Sequence, residues 1–323
     1  MPAKVDTYLD LAREIAQGLA GSVGAWTAFL DTASRLYKYS FHDQLMIHAQ
    51  RPEATACASY EVWNDTMRRY VRRGAKGIAL VDNSGDAPRL RYVFDIADTG
   101  TRRSSRPFSP WEINDGNLAE VQLGLRQAFN AEGDWLSSQL QDVARDLAEM
   151  YFDAHRHDIA GIIDGSLMAG YDEGELRDSF TKAAYASTAY ALLSRCGYDP
   201  AAYFDEADFA FISEWNTSEA VTALGTAVSE NAQMALHLRV AYRGQERRQR
   251  ERRQRLLNLR HLAHERLQDT RKHPEPPRRA HLRQDRGRGR HRAPGPQRQG
   301  DHPCPAEAAG HQGRLPRLAV ERC

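Results

Sequence analysis

Apolar residues recur at helical spacing through the first fifty positions. Val5, Leu9, Leu11, Ile15 and Leu19 form one stripe, and Trp26, Phe29, Leu30, Ala33, Leu36 and Tyr37 form a second, with Gly21 and Gly24 between them. A third short helix, Asp43–Gln50, must stop at Arg51, because the residue before Pro52 is pushed out of the α region. Ser59 suits the N-cap of a helix running through Glu61, Trp63 and Met67 to about Tyr70. The period then changes. Residues 77–81 (GIALV) and 90–96 (LRYVFDI) are β-rich runs separated by turn-forming residues over 82–88, a pattern that predicts a β-hairpin. Residues 99–110 read as a polar loop punctuated by proline. From Asn117 the helical period returns, predicting helices at 117–129, 135–155, 173–196, 206–214 and 217–240, with Gly197 as a C-terminal stop.

The pattern ends near Arg239–Tyr242. Beyond it the chain has almost no aromatic or β-branched residues and is crowded with Arg, His, Pro, Gln and Gly, so it cannot bury enough apolar surface to offset an ordering entropy of about 1–2 kcal/mol per residue. The expectation is a disordered tail over 243–323, after a frayed helix near 245–268. It reads either as an Arg-rich nucleic-acid arm or as the product of a reading-frame shift in a G+C-rich gene. The abundance of Arg, Pro, Gly, Ala and His favours the second.

Charge separates the chain further. The net charge of +1 hides 22 Lys and Arg against 9 Asp and Glu over 243–323, which leaves 22 against 34 in the body. Within that acidic body, residues 31–110 are locally basic, 13 against 9, whereas 111–242 hold 7 against 22. A basic stretch in an acidic protein is the electrostatic footprint of a polyanion partner. The four cysteines, Cys57, Cys196, Cys304 and Cys323, lack C-x-x-C spacing, so neither a zinc knuckle nor a disulfide framework is indicated. The first residues have no apolar signal-peptide core, and no run approaches the ~20 apolar residues of a membrane helix. A cytoplasmic protein without a membrane partner is expected.

The segment best equipped for chemistry is 37–77. It sets Lys38, Arg51, Arg68, Arg69, Arg72, Arg73 and Lys76 among Tyr37, Tyr39, Phe41, Tyr60, Trp63 and Tyr70. Cations that neutralise phosphates, interleaved with rings on which unpaired bases stack, are the two parts of a single-strand binding surface. Tyr39 and Trp63 are the rings expected to stack. The plain alternative is that the rings are core and that RRYVRRG is a solvated face.

The string Y-x-Y-S-F-x-x-Q-L-x-I-x-A-Q-R-P from Tyr37, the later Trp63, V-R-R-G-A-K-G-I from Val71 and Y-V-F-D-I-A-D-T from Tyr92 together resemble the N-terminal domain of ArdC-type antirestriction proteins. The likeness is strongest to the form that opens large helicase/DNA-methylase-like proteins of conjugative elements, and it covers about residues 24–98. It implies single-stranded DNA binding. It also adds Gln44, which stands inside the motif, and Gly74 and Gly77, where bare backbone could approach a phosphate. By the same likeness the chain would be the front end of a larger protein, without its motor.

In that family a zinc-peptidase-like domain with an H-E-x-x-H helix follows. Residues 179–197 and the phrase from Phe211 to Trp215 resemble its last parts, but H-E-x-x-H occurs nowhere in this chain. The metal needs two imidazoles one helical turn apart, whereas His155 and His157 are two residues apart, and His261 and His264 lie in the tail. Where the family has a glutamate ligand this chain offers Ala184, Ala186 and Ser187. No P-loop, dinucleotide fingerprint or nucleophile elbow is present.

The expectation is therefore an α+β protein, mostly helical. A single-stranded-DNA-binding domain with a small β-hairpin or sheet would span 1–125, an all-α, degenerate zincin-like domain 126–242, and the disordered tail 243–323. No enzyme activity, cofactor or metal is expected, and single-stranded DNA is the partner. Conjugation or restriction proteins are further candidates: the alternative function is an antirestriction interaction module whose acidic helical half mimics DNA charge. A relic metallopeptidase is the third reading.

Overall fold

The computed structural model describes residues 2–236 apart from 86 and 130. The chain falls into two units, Met1–Glu251 and Arg252–Cys323, and the described residues belong to the first. The tail expected over 243–323, with its frayed helix near 245–268, lies outside them.

The first three stripes fold as predicted into α1 (Pro2–Leu19), α2 (Val23–Arg35) and α3 (Phe41–Gln50). Ser22 caps α2, accepting from the Ala25 amide at 3.1 Å, and Ser40 caps α3, accepting from Asp43 at 3.3 Å. The hairpin also forms. Strands β3 (Ile78–Asp82) and β4 (Arg89–Asp95) pair antiparallel from Ile78 opposite Val93 to Asp82 opposite Arg89. Here β1 and β2 are Cys57–Ser59 and Tyr70–Val71, and β5 is Thr99–Gly100. β1 joins the other side of β4, giving the order β1-β4-β3, and β2 pairs with β5 in a separate two-stranded ribbon. The side-chain amide of Gln50 both donates to and accepts from the backbone of Ala79 at 2.9 Å, closing the open edge of β3. Asp95, 2% exposed, accepts from the amides of Thr55, Ala56 and Ala97 at 2.7–2.9 Å and so holds the entry to β1 against the exit from β4. A carboxylate so buried is tolerable because three backbone donors replace its water.

The helical half contains α4 (Leu118–Phe129), α5 (Leu136–Ile162), α6 (Glu173–Arg195) and α7 over 218–236. α5 runs a further two turns beyond the predicted end at 155, because Ile159 returns to the core at helical spacing. Asp172 and Glu175 form the capping box of α6, and Gly197, with φ +86°, ends it. The helix expected at 206–214 is a 3-10 segment, Glu206–Ser213, opened by Asp205. The protein is thus mostly helical with a small antiparallel sheet. No helix among the described residues is long and apolar enough to cross a membrane.

One core cluster draws on α1, α2, α3, β3, β4, α5, α6, the 3-10 segment and α7, from Ala12 to Val228. Trp26, fully buried, donates to Ser187 Oγ at 3.0 Å, Ser229 Oγ donates to the Tyr39 carbonyl at 3.1 Å, and the Phe41 ring lies so close to Gly225 that a Cβ there would overlap it. A second cluster, from Val121 to Leu236, joins α4, α5, α6 and α7.

Candidate nucleic-acid interface

The helix expected from Ser59 to about Tyr70 is much shorter. Ser59 belongs to β1, although its hydroxyl still accepts from Val62 at 3.3 Å. A π-turn, Val62–Thr66, follows and closes at once: Met67 donates to the Val62 carbonyl at 2.9 Å, Arg69 donates to the Trp63 carbonyl at 2.8 Å, and Arg68 takes the left-handed conformation, φ +54°. A non-glycine residue there is strained, so the surrounding bonds must hold it. The principal anchor is Trp63, 2% exposed, whose indole N–H donates to the Phe94 carbonyl at 2.8 Å while its ring meets Phe108 edge-on.

Past this turn the chain enters β2, and the polar loop after β5 is fastened to it. The Arg72 amide donates to the Asp98 carbonyl at 2.8 Å, the Arg106 amide to the Met67 carbonyl at 2.9 Å, Ser105 Oγ to the Arg68 carbonyl at 2.7 Å, and the Arg102 amide to Ser105 Oγ at 2.6 Å. Residues 101–106 are in this way laid along 67–72. Arg102, Arg103 and Arg106 join Arg68, Arg69, Arg72, Arg73 and Lys76 on neighbouring backbone. Three of these side chains make neutral contacts: Arg69 Nε to Thr99 Oγ1 at 2.8 Å, Arg72 to the Ala97 carbonyl at 3.0 Å, and Arg102 to Asn64 Oδ1 at 3.0 Å. Among the described residues none of the eight cations is in an ion pair, whereas Arg51, Arg89, Arg91 and Arg177 all are. Unpaired like charges on neighbouring backbone repel one another and create a field that a polyanion relieves.

The other expected site residues lie elsewhere or serve packing. Lys38 is exposed in the turn between α2 and α3. Tyr39 donates to the Cys57 carbonyl at 2.8 Å, and burial raises its phenol above the ordinary range. Gln44, 1% exposed, donates to the carbonyls of Leu36 and Tyr39 at 3.2 and 3.0 Å and ties the α2–α3 turn. Arg51 is paired with Asp98 and, at 3.2 Å, with Glu53, so its charge is spent within the fold. Trp63 is interior and cannot present a ring face to a base, which corrects the expectation that it stacks; Tyr39 is partly buried, with its hydroxyl held against β1. A Cβ at Gly77 would stand 3.2 Å from Phe94 and Tyr92, so tight packing accounts for that glycine. Gly74 is exposed with φ +87° and open space around it, which leaves its backbone accessible. The signal overlooked in the sequence was the cluster of three arginines in 102–106; nothing there announced that the loop folds back on β2.

Cys57 offers no nucleophile. Burial, and then Asp95 beside it, push its thiol up to about 12, so it stays protonated at neutral pH. In the helical half, His155 donates through Nδ1 to the Tyr151 carbonyl at 2.9 Å and stacks on the Tyr151 ring at 4.1 Å, while His157 is exposed. No group of three His, Cys, Asp or Glu side chains that could hold a metal ion gathers among the described residues. Ala184, Ala186 and Ser187 are buried, with Ser187 accepting from Trp26 of α2. No family model, curated protein or solved structure matches this chain.

Proposed function

We propose that this chain binds single-stranded DNA without catalysing a reaction on it, through the surface built by 67–76 and 101–106. The observation that carries the reading is the set of eight cations in 68–76 and 102–106, none in an ion pair among the described residues, with the exposed Tyr70 between them in the β2–β5 ribbon. Arg68, Arg69, Arg72, Arg73, Lys76, Arg102, Arg103 and Arg106 capture phosphates, and the accessible backbone at Gly74 admits a close approach. Such capture is steep in salt and indifferent to base order. The resemblance to ArdC-type N-terminal domains points the same way. In this reading the chain is a mobile-element protein's DNA-holding part, and its helical half is a metal-free scaffold of zinc-peptidase-like descent. The small residues of α6 support that scaffold role, since they let α2 pack closely where a ligand-bearing helix would need a carboxylate.

Equilibrium titration of a labelled oligo(dT) with the full-length chain at low salt tests the reading. Saturable binding that an unlabelled oligo(dA) competes away is expected. An absence of binding under those conditions overturns it.

A further inference from the structure

We infer that Tyr70, lying on Gly100 and covered by Arg102, is the platform on which one unpaired base stacks, and that this ring gives the surface its preference for single strands over duplex. The inference rests on the reading of the surface above. Charge alone cannot make the distinction, because duplex and single strand both present phosphates to the eight cations. What a duplex cannot present is a free base face. A ring that is exposed, flat and set among the cations therefore discriminates.

Few rings qualify. Of those near the cations, Trp63 is interior and Phe108 is engaged edge-on with it. Tyr60 is half exposed but followed by Glu61, and Tyr92 is half exposed on β4, where its cross-strand partner is Ala79. Tyr70 is 42% exposed, with Arg69 just before it and Arg72 two residues on, and the Arg102 guanidinium lies 5.6 Å from its ring centroid. Its orientation is fixed from below. Tyr70 stands directly opposite Gly100 in the β2–β5 ribbon, and a Cβ on Gly100 would overlap the ring, so the ring folds across bare backbone. The missing side chain at residue 100 thus serves to lay the ring down, and a ring already held flat loses little freedom when a base arrives. Arg102, exposed and tied by its side chain to Asn64, can lift to admit the base and then stack on its far side, as guanidinium planes do.

The test compares the full-length chain with its Tyr70→Leu and Tyr70→Phe variants, titrating oligo(dT) and a duplex of equal length. Leucine keeps an apolar cover over Gly100 but has no π face. Tyr70→Leu should weaken single-strand binding roughly 5- to 100-fold, leave duplex binding unchanged, and leave the salt dependence unchanged; Tyr70→Phe should bind as the parent does. An oligonucleotide carrying 5-bromodeoxyuridine, irradiated with the unaltered protein, should crosslink to the peptide containing Tyr70, a readout that does not depend on any variant folding. Equal single-strand affinity for the parent and Tyr70→Leu, a parallel loss of duplex affinity, or crosslinks confined to other peptides overturn the inference while leaving the surface itself in place. Should the parent bind neither nucleic acid, the surface reading falls and the inference falls with it.

Discussion

Replacing Trp63 by alanine should lower the free energy of unfolding by about 3–5 kcal/mol, the cost of deleting a large buried aromatic. The side chain is 2% exposed, and its indole N–H is bonded to the Phe94 carbonyl, so the substitution leaves a cavity and a buried acceptor together. The π-turn it anchors sets Arg68 in its left-handed conformation and delivers the chain to β2. Urea denaturation monitored by circular dichroism measures the change. A loss below about 1 kcal/mol would contradict the placement of Trp63 in the interior, since surface substitutions fall in that range.

Reversing Arg73 and Arg103 to glutamate should reduce oligo(dT) affinity at low salt on the order of 100-fold or more, because each reversal removes a phosphate contact and adds a repulsion. Arg73 follows β2 and Arg103 follows β5, both are exposed, and neither donates a side-chain hydrogen bond within the fold among the described residues. Stability should accordingly shift by no more than about 0.5 kcal/mol. Lys38→Glu is the control. It reverses one charge where the other variant reverses two, and it lies outside 67–76 and 101–106, so it should leave affinity nearly unchanged. The basic tail over 243–323 is common to all these proteins, so differences between them belong to residues 38, 73 and 103. A loss from Lys38→Glu that is half that of the double variant on a logarithmic scale would show that net charge alone governs binding.

The helices were legible because long amphipathic stripes carry a clear period, from Trp26 to Leu36 in α2 and across α5 and α6. The β3–β4 hairpin was legible from its turn residues and β-rich flanks. Strands β1, β2 and β5 were not, since two or three residues carry no period. That failure hid the site: without the β2–β5 pairing, the arginines at 102, 103 and 106 look like an isolated polar loop, and Arg68 to Arg73 look like one face of a helix. Trp63, Tyr39 and Gln44 show a second limit. A conjunction of rings, amides and cations has the same composition whether the rings pack inward or stack outward, and only the fold decides; Trp63 went in and Tyr70 stayed out. A third limit concerns packing partners. The apolar stripe of α2 does not reveal that its partner is α6, more than a hundred residues away, to which the Trp26–Ser187 bond ties it.

The most direct test of the central claim is the salt dependence of oligo(dT) binding, measured on the full-length chain and on the Arg73→Glu/Arg103→Glu variant. Each phosphate contact with a single strand contributes about 0.7 to the slope of log K against log salt. A steep line is expected for the parent and one shallower by roughly 1.4 for the variant. Two parallel lines would contradict it, because residues 73 and 103 would then neutralise no phosphate.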